Sequence, residues 1–336
     1  DAIMIACLTA GCGLTVLGDL RRSRAALFSA VPLFVLGGMI RHNAAPALVP
    51  LLTWWSSIYI RQYPGHWRPP IWTLALGAIA AAGVILGFSR VIDRFFVNKP
   101  VSTFAAVQVF DLAGISVATS EMLVPDFLLP EGFTLETLRK RYVPYNNVAL
   151  FLPPAGVKEV LWEWSLTESE LEILRKCWGD AILAHPKEYL EHRAALTTWL
   201  FNRYRNDRPR ELALSEAIAE YKGNPAIRPN DTALHQWTIR WYERMIGWWT
   251  FAPVTFLVIC LSTLFLAWRT RHEPISQFAL AAGTSGLAYI APLPLVAPSA
   301  ELRYSGWLFA ATSFAVIALA SQYAIGNFRE RLNKSP

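Results

Sequence analysis

PIWTLALGAIAAAGVILGFS, residues Pro70 to Ser89, ends at Arg90, and from there a polar stretch lasts to about Met245. The run is apolar throughout and about as long as the hydrocarbon core of a bilayer asks of a helix, roughly 20 residues. Three more apolar runs precede it: Ala2 to Gly18, Ala25 to Ile40 and Ala44 to Ile60. Three follow the polar stretch: Ile246 to Trp268, Ile275 to Val296 and Ser305 to Ile325. Several are short for a bilayer, a deficit that snorkelling polar residues at their ends can make up. The predicted fold is therefore all-α, a polytopic transmembrane helix bundle of about seven spans. It comprises a four-helix block over 1–89, a mainly helical extracytoplasmic insert over 90–245, and a three-helix block with a cytoplasmic tail over 246–336.

Composition agrees. Of the 336 residues, 54% are hydrophobic and only 17% charged, against about a quarter charged in soluble domains. The net charge of +6 raises the question of nucleic acid. The basic residues, however, gather at the ends of the apolar runs, where they act as topology signals, and no nucleic-acid partner is expected. Cys7, Cys12, Cys177 and Cys260 form no CxxC pair, so neither a disulfide framework nor a zinc site is supported. His185, His192 and His235 lack the HExxH spacing, and no histidine-held metal is expected. No Walker motif, GxGxxG or GxSxG occurs, which leaves nucleotide-driven chemistry and a serine elbow without support.

Charge also sets the orientation. If the spans alternate, Arg21, Arg22, Arg24, Arg61, Arg68, Arg269, Arg271, Arg329, Arg331 and Lys334 share one side. Only Arg41 and Arg303 occupy the short loops of the other. The positive-inside rule puts the first group in the cytoplasm and the insert, Asp1, Arg41 and Arg303 outside. Asp1 enters an apolar run directly, with no charged leader or cleavage site before it. The chain is read as a fragment, and at least one further span upstream is expected.

Within the insert, Phe104, Val107 and Ile115 recur at helical spacing over Ser102 to Thr119. Thr134 is placed to cap a helix over Leu135 to Tyr142. Thr167-Glu168-Ser169-Glu170 reads as a capping box, and Pro186 as the first turn of a helix reaching Tyr204. A last helix is expected from Asp231 through Trp237 and Trp241 towards the fifth span. Pro125 to Pro130, Pro144 to Pro154 and Arg208 to Pro229 read as loops. Trp54, Trp55, Trp67, Trp72, Trp248 and Trp249 sit near span ends, as an aromatic belt would.

Few residues offer chemistry. Arg41-His42-Asn43 and Glu301-Leu302-Arg303-Tyr304 lie at the outer ends of spans. Their arginines either fork onto a lipid phosphate or snorkel to headgroups. Asp111, in Phe110-Asp111-Leu112-Ala113-Gly114-Ile115-Ser116, either serves as a base or sugar ligand or makes an ion pair, for example with Arg94 or Lys99. His192 either takes part in a site or bonds a neighbour.

Taken together, Arg41-His42-Asn43-Ala44, the Asp-Leu-Ala-Gly-Ile-Ser run at 111–116, His185-Pro186-x-x-Tyr189-Leu190-x-His192-Arg193 and Glu301-Leu302-Arg303-Tyr304 resemble bacterial membrane glycosyltransferases of the GT-C type. The resemblance covers most of the chain, through short motifs. It implies transfer of a sugar from a polyprenyl-phosphate donor to a glycan or lipid acceptor, at the outer face of the inner membrane, in cell-envelope glycan assembly. The phosphate would leave stabilised by arginine or a divalent cation. On this reading Arg41, Arg303 and Tyr304 bind the lipid phosphate, Asp111 and Asp1 are the catalytic acids, and His42, Asn43, His192 and Arg193 bind substrate. The type carries its main catalytic acid in the first outer loop, which is expected upstream of residue 1. A transporter or flippase of lipid-linked intermediates, which would place ionisable groups inside the spans, and a non-catalytic assembly protein are the alternatives.

Overall fold

The computed structural model describes residues 1–41, 44–62, 69–96, 102–151, 166–201, 232–246, 248 and 252–334. The described residues are helical apart from turns and two isolated bridges, Val143 with Asn146 and Asn146 with Ser299. In chain order the helices are α1 (Ala2–Arg21), α2 (Arg24–Ile40), α3 (Ala45–Gln62) and α4 (Ile71–Phe96). Next come α5 (Thr103–Thr119), α6 (Leu135–Arg141), α7 (Val148–Phe151), α8 (Glu168–Ala184), α9 (Pro186–Phe201) and α10 (Ala233–Ile246). Then follow α11 (Pro253–Arg269), α12 (Pro274–Ile290), α13 (Leu293–Val296) and α14 (Gly306–Lys334).

Each predicted apolar run contains a helix, but the run Ile246–Trp268 is described as a span helix only from Pro253, and the run Ile275–Val296 is divided between α12 and α13. Four helical segments are long and apolar enough to cross a membrane: Ala2–Arg21, Ile71–Ile92, Pro274–Val296 and Leu302–Ala324. The helices α2 and α11, at 17 residues each, are apolar but shorter. In α3 the polar Ser56, Ser57, Tyr59 and Arg61 dilute an otherwise apolar helix.

The chain divides into two compact units. The first comprises Asp1–Val97, Val254–Pro292 and Arg303–Pro336. Lipid offers helices no hydrophobic reason to associate, so close contact between small residues has to do it. A Cβ added at Gly11 would lie 2.6 Å from the ring of Phe34, and one at Gly18 would lie 2.6 Å from Leu27, so α1 and α2 meet closely. Their turn needs Arg22 in the left-handed region (φ 50°), with Ser23 N bonded back to Gly18 O at 3.0 Å. Ser23 Oγ then caps α2 by accepting from Ala26 N. Farther along the chain, the buried Trp307 donates to Ser285 Oγ at 2.9 Å, and Ser285 donates to Ala47 O at 2.7 Å. That chain of bonds joins α14, α12 and α3 and satisfies an indole that burial would otherwise strand.

This unit has polar groups at two ends and apolar packing between them. At one end Arg61 Nη2 reaches both oxygens of Asp19, at 3.1 and 3.0 Å, while Nη1 donates to Gln277 Oε1 at 2.8 Å. Gln277 in turn donates to Arg271 O, and Ser276 donates to Gln322 at 2.9 Å. At the other end Asp1 pairs with Arg41. Eighteen residue steps along α1 separate the two acids, about 27 Å at helical rise, close to the roughly 30 Å of a hydrocarbon core.

The second unit is Asn98–Pro253 with Leu293–Leu302. Its boundary lies past Ser89 because α4 continues as one helix to Phe96. Its centre is α5, in which every residue from Ala105 to Ser116 is buried, the pattern of a core helix rather than a surface one. The helices α6, α8 and α9 pack around it. The predicted capping box at Thr167 and Glu170 is present in full, and Thr134 caps α6. The backbone and side-chain bonds from Thr167 hold the Glu170 carboxyl below its ordinary pKa. Pro125 to Pro130 carries a single 3-10 turn, Asp126–Leu128. The predicted loop Pro144 to Pro154 carries the short helix α7 before its last three residues pass outside the described residues, and the predicted loop Arg208 to Pro229 lies wholly outside them, within 202–231.

One segment groups differently from the sequence reading: Leu293–Leu302 clusters with Asn98–Pro253 and not with the three-helix block over 246–336. Ala300 N donates to Tyr145 O at 2.8 Å, Asn146 bridges Ser299, and α13 packs on α9. An apolar strand of chain rich in proline finds its partners there, which span periodicity alone does not reveal.

Candidate functional sites

Each unit carries one constellation. In the second, Asp111 is wholly buried on α5. Arg193, on α9 and only 3% exposed, places Nη2 2.7 Å from each carboxylate oxygen. Trp178, on α8, donates Nε1–H to Oδ2 at 2.9 Å. His192 Nε2 stands 3.2 Å from Oδ1, and its Nδ1 lies 2.6 Å from the Tyr142 hydroxyl. The Tyr142 hydroxyl and His192 Nδ1 share a hydrogen bond, and the other ring nitrogen faces the carboxylate. Arg193 also donates from Nη1 to Ala297 O at 2.8 Å. One acid thus ties together α5, α8, α9 and the Leu293–Leu302 segment.

The electrostatics follow from burial. Burial, and then the charge of Asp111, push the Tyr142 phenol well above its ordinary pKa, against the opposing effect of Arg193. Tyr142 therefore stays a hydrogen-bond donor through the physiological range. The same causes in the same order raise Tyr189, whose ring lies 6.0 Å from the Arg193 guanidinium.

Gly114, one turn along from Asp111, makes room for this. A Cβ there would sit 2.7 Å from Cγ of the His192 ring, a buried group whose Nδ1 is bonded to the Tyr142 hydroxyl. Gly114→Ala is expected to destabilise the unit by about 1–3 kcal/mol through overpacking, seen as a lower unfolding temperature in detergent. The glycines Gly77 and Gly83 of α4, whose added Cβ atoms meet open space, serve as controls. An unchanged melting temperature for Gly114→Ala contradicts this packing.

In the first unit, Arg41 Nε pairs with Asp1 Oδ1 at 2.6 Å. The Arg41 guanidinium lies 5.3 Å from the centroid of the Tyr304 ring, and the Arg303 guanidinium 5.5 Å from it. Tyr304 is buried, Arg41 half-buried and Arg303 exposed. The end of α2 and the turn before α14 thus bring both arginines to one aromatic ring, with the start of α1 adding one carboxylate. A guanidinium has five N–H donors in a fixed fork, so a single carboxylate on Nε does not exhaust Arg41. No family profile, curated protein or solved structure matches this chain.

The site residues expected from sequence therefore fall into two sets. Arg41, Arg303, Tyr304 and Asp1 come together in the first unit. Asp111, His192 and Arg193 come together in the second. His42 and Asn43 lie outside the described residues. The ion-pair reading of Asp111 finds its partner in Arg193, across 82 positions of sequence, and Lys99 lies outside the described residues. Trp178, Tyr142 and the Ala297 carbonyl were not expected as partners. The one signal in the sequence was Gly114, a gap on the helix three residues beyond an acid. Among the described residues no group of three or more His, Cys, Asp or Glu side chains could hold a metal ion.

Proposed function

We propose that the protein binds a polyprenyl-phosphate-linked sugar at the Arg41, Arg303 and Tyr304 cluster. It transfers the sugar to a glycan or lipid acceptor at the outer face of a bacterial inner membrane. The observation that carries this reading is the convergence of two arginines, 262 positions apart in sequence, on one tyrosine ring at the ends of apolar helices. The planar fork of arginine fits phosphate oxygens. A donor whose tail stays in lipid brings its phosphate to such a boundary without any nucleotide fold.

In this reading all seven apolar helices cross the bilayer, and the arginine-rich end around Arg61 and Arg271 is cytoplasmic. Asp111, paired with Arg193 and accepting from Trp178, ties the second unit together. Asp1 is the acid beside the phosphate site. A transporter of lipid-linked intermediates fits less well. Among the described residues, the buried charged side chains are Asp111, His192 and Arg193, all in the second unit, whereas carriers place ionisable groups within their spans.

The direct test supplies radiolabelled polyprenyl-phosphate sugar to membranes containing the full-length protein. Label is expected to appear in an acceptor glycan or lipid, and only when donor is added. Incorporation no greater than in membranes lacking the protein contradicts a transferase.

A further inference from the structure

Among the described residues of α10, none is buried, yet the helix carries two tryptophans, Trp237 at 58% and Trp241 at 46% exposure. At 100° per residue, Leu234, Trp237, Trp241 and Met245 fall within one arc of about 80°. Arg240 and Arg244 border that arc on one side, with Gln236 and Glu243 behind them. A contiguous exposed apolar stripe of this kind marks an interaction or membrane surface.

We propose that α10 lies flat on the membrane surface. Its Leu234, Trp237, Trp241 and Met245 stripe sinks into the interface, and Arg240 and Arg244 meet lipid phosphates. Three observations favour lipid over a protein partner. Tryptophan with flanking arginine is the composition of an interfacial helix. The basic residues border the apolar face instead of opposing it, where headgroup phosphates would be. And only seven residue steps separate Ile246 from Pro253, where α11 begins, a reach of at most about 25 Å. This last point rests on the reading that α11 crosses the bilayer.

The experiment uses the full chain, with Cys177→Ser removing the one cysteine that is not buried, in vesicles containing anionic and zwitterionic lipid. An environment-sensitive dye is attached in turn at Leu234→Cys, on the stripe, and Gln236→Cys, on the opposite face. A third site, Phe265→Cys, reports an exposed position on α11. The dye at 234 is expected to be quenched several-fold more by headgroup-labelled lipid than by aqueous iodide, and the dye at 236 the reverse. Trp237→Glu with Trp241→Glu should return position 234 to iodide. Equal iodide quenching at 234 and 236, with 265 still protected in lipid, overturns the inference and leaves the span intact. Protection of 234 from both quenchers also overturns it, since protein then covers the stripe. If 265 is open to iodide, the span reading and this inference fail together.

Discussion

Asp111→Ala is expected to cost the second unit about 3–5 kcal/mol, because it leaves the Arg193 cation buried with its partner gone. Arg193→Ala should do comparable damage, stranding the carboxylate and also freeing the Ala297 carbonyl from its donor. The pair is far less costly to remove together. Asp111→Leu with Arg193→Met replaces two ions by apolar groups of similar size, an exchange that is often near neutral in buried pairs. The cycle of single and double variants therefore shows strong coupling. Thermal unfolding in detergent reads the loss, and limited proteolysis within the insert shows where it falls. Single variants as stable as the parent contradict the ion pair as the centre of this unit.

The second large effect concerns the phosphate. Each arginine of the Arg41 and Arg303 pair offers charge-assisted hydrogen bonds worth roughly 1.5–3 kcal/mol, or about ten- to a hundredfold in affinity. Arg41→Ala with Arg303→Ala is expected to weaken binding of polyprenyl phosphate at least a hundredfold. Arg41→Lys should recover only part, because an ammonium cannot make the planar fork. Stability should change little, as the arginines sit at helix ends and Arg303 is exposed. Surface resonance with protein in nanodiscs and lipid presented in detergent provides the measurement. Binding by the double variant within threefold of the parent contradicts the site.

The bundle was legible because its signals are local. Apolar runs bounded by arginine give helices at the predicted places, and the Thr167 and Thr134 caps form because each needs only neighbours within one turn. What was not legible depends on distant partners. Asp111 reads alike from sequence whether it meets a substrate or Arg193, since the pairing is made by packing α5 on α9. Leu293–Leu302 reads as the approach to a span, yet its backbone bonds go to Tyr145 and Asn146, some 150 positions earlier. Gly114 carried the best hint, for a gap beside an acid on a buried helix marks where another side chain must enter. The arginine cluster was half legible. Scarcity of basic residues in these short loops singled out Arg41 and Arg303, while their meeting on Tyr304 came only from the fold.

The most direct test of the central claim is photo-crosslinking with a polyprenyl phosphate bearing a diazirine beside the phosphate, in native membranes, followed by peptide mapping. Label is expected on the peptides around Arg41 and around Arg303 and Tyr304, and is expected to fall when unlabelled polyprenyl phosphate competes. Label concentrated instead at the Arg61 and Arg271 end, or label that competitor does not displace, would contradict a lipid-phosphate site at this cluster.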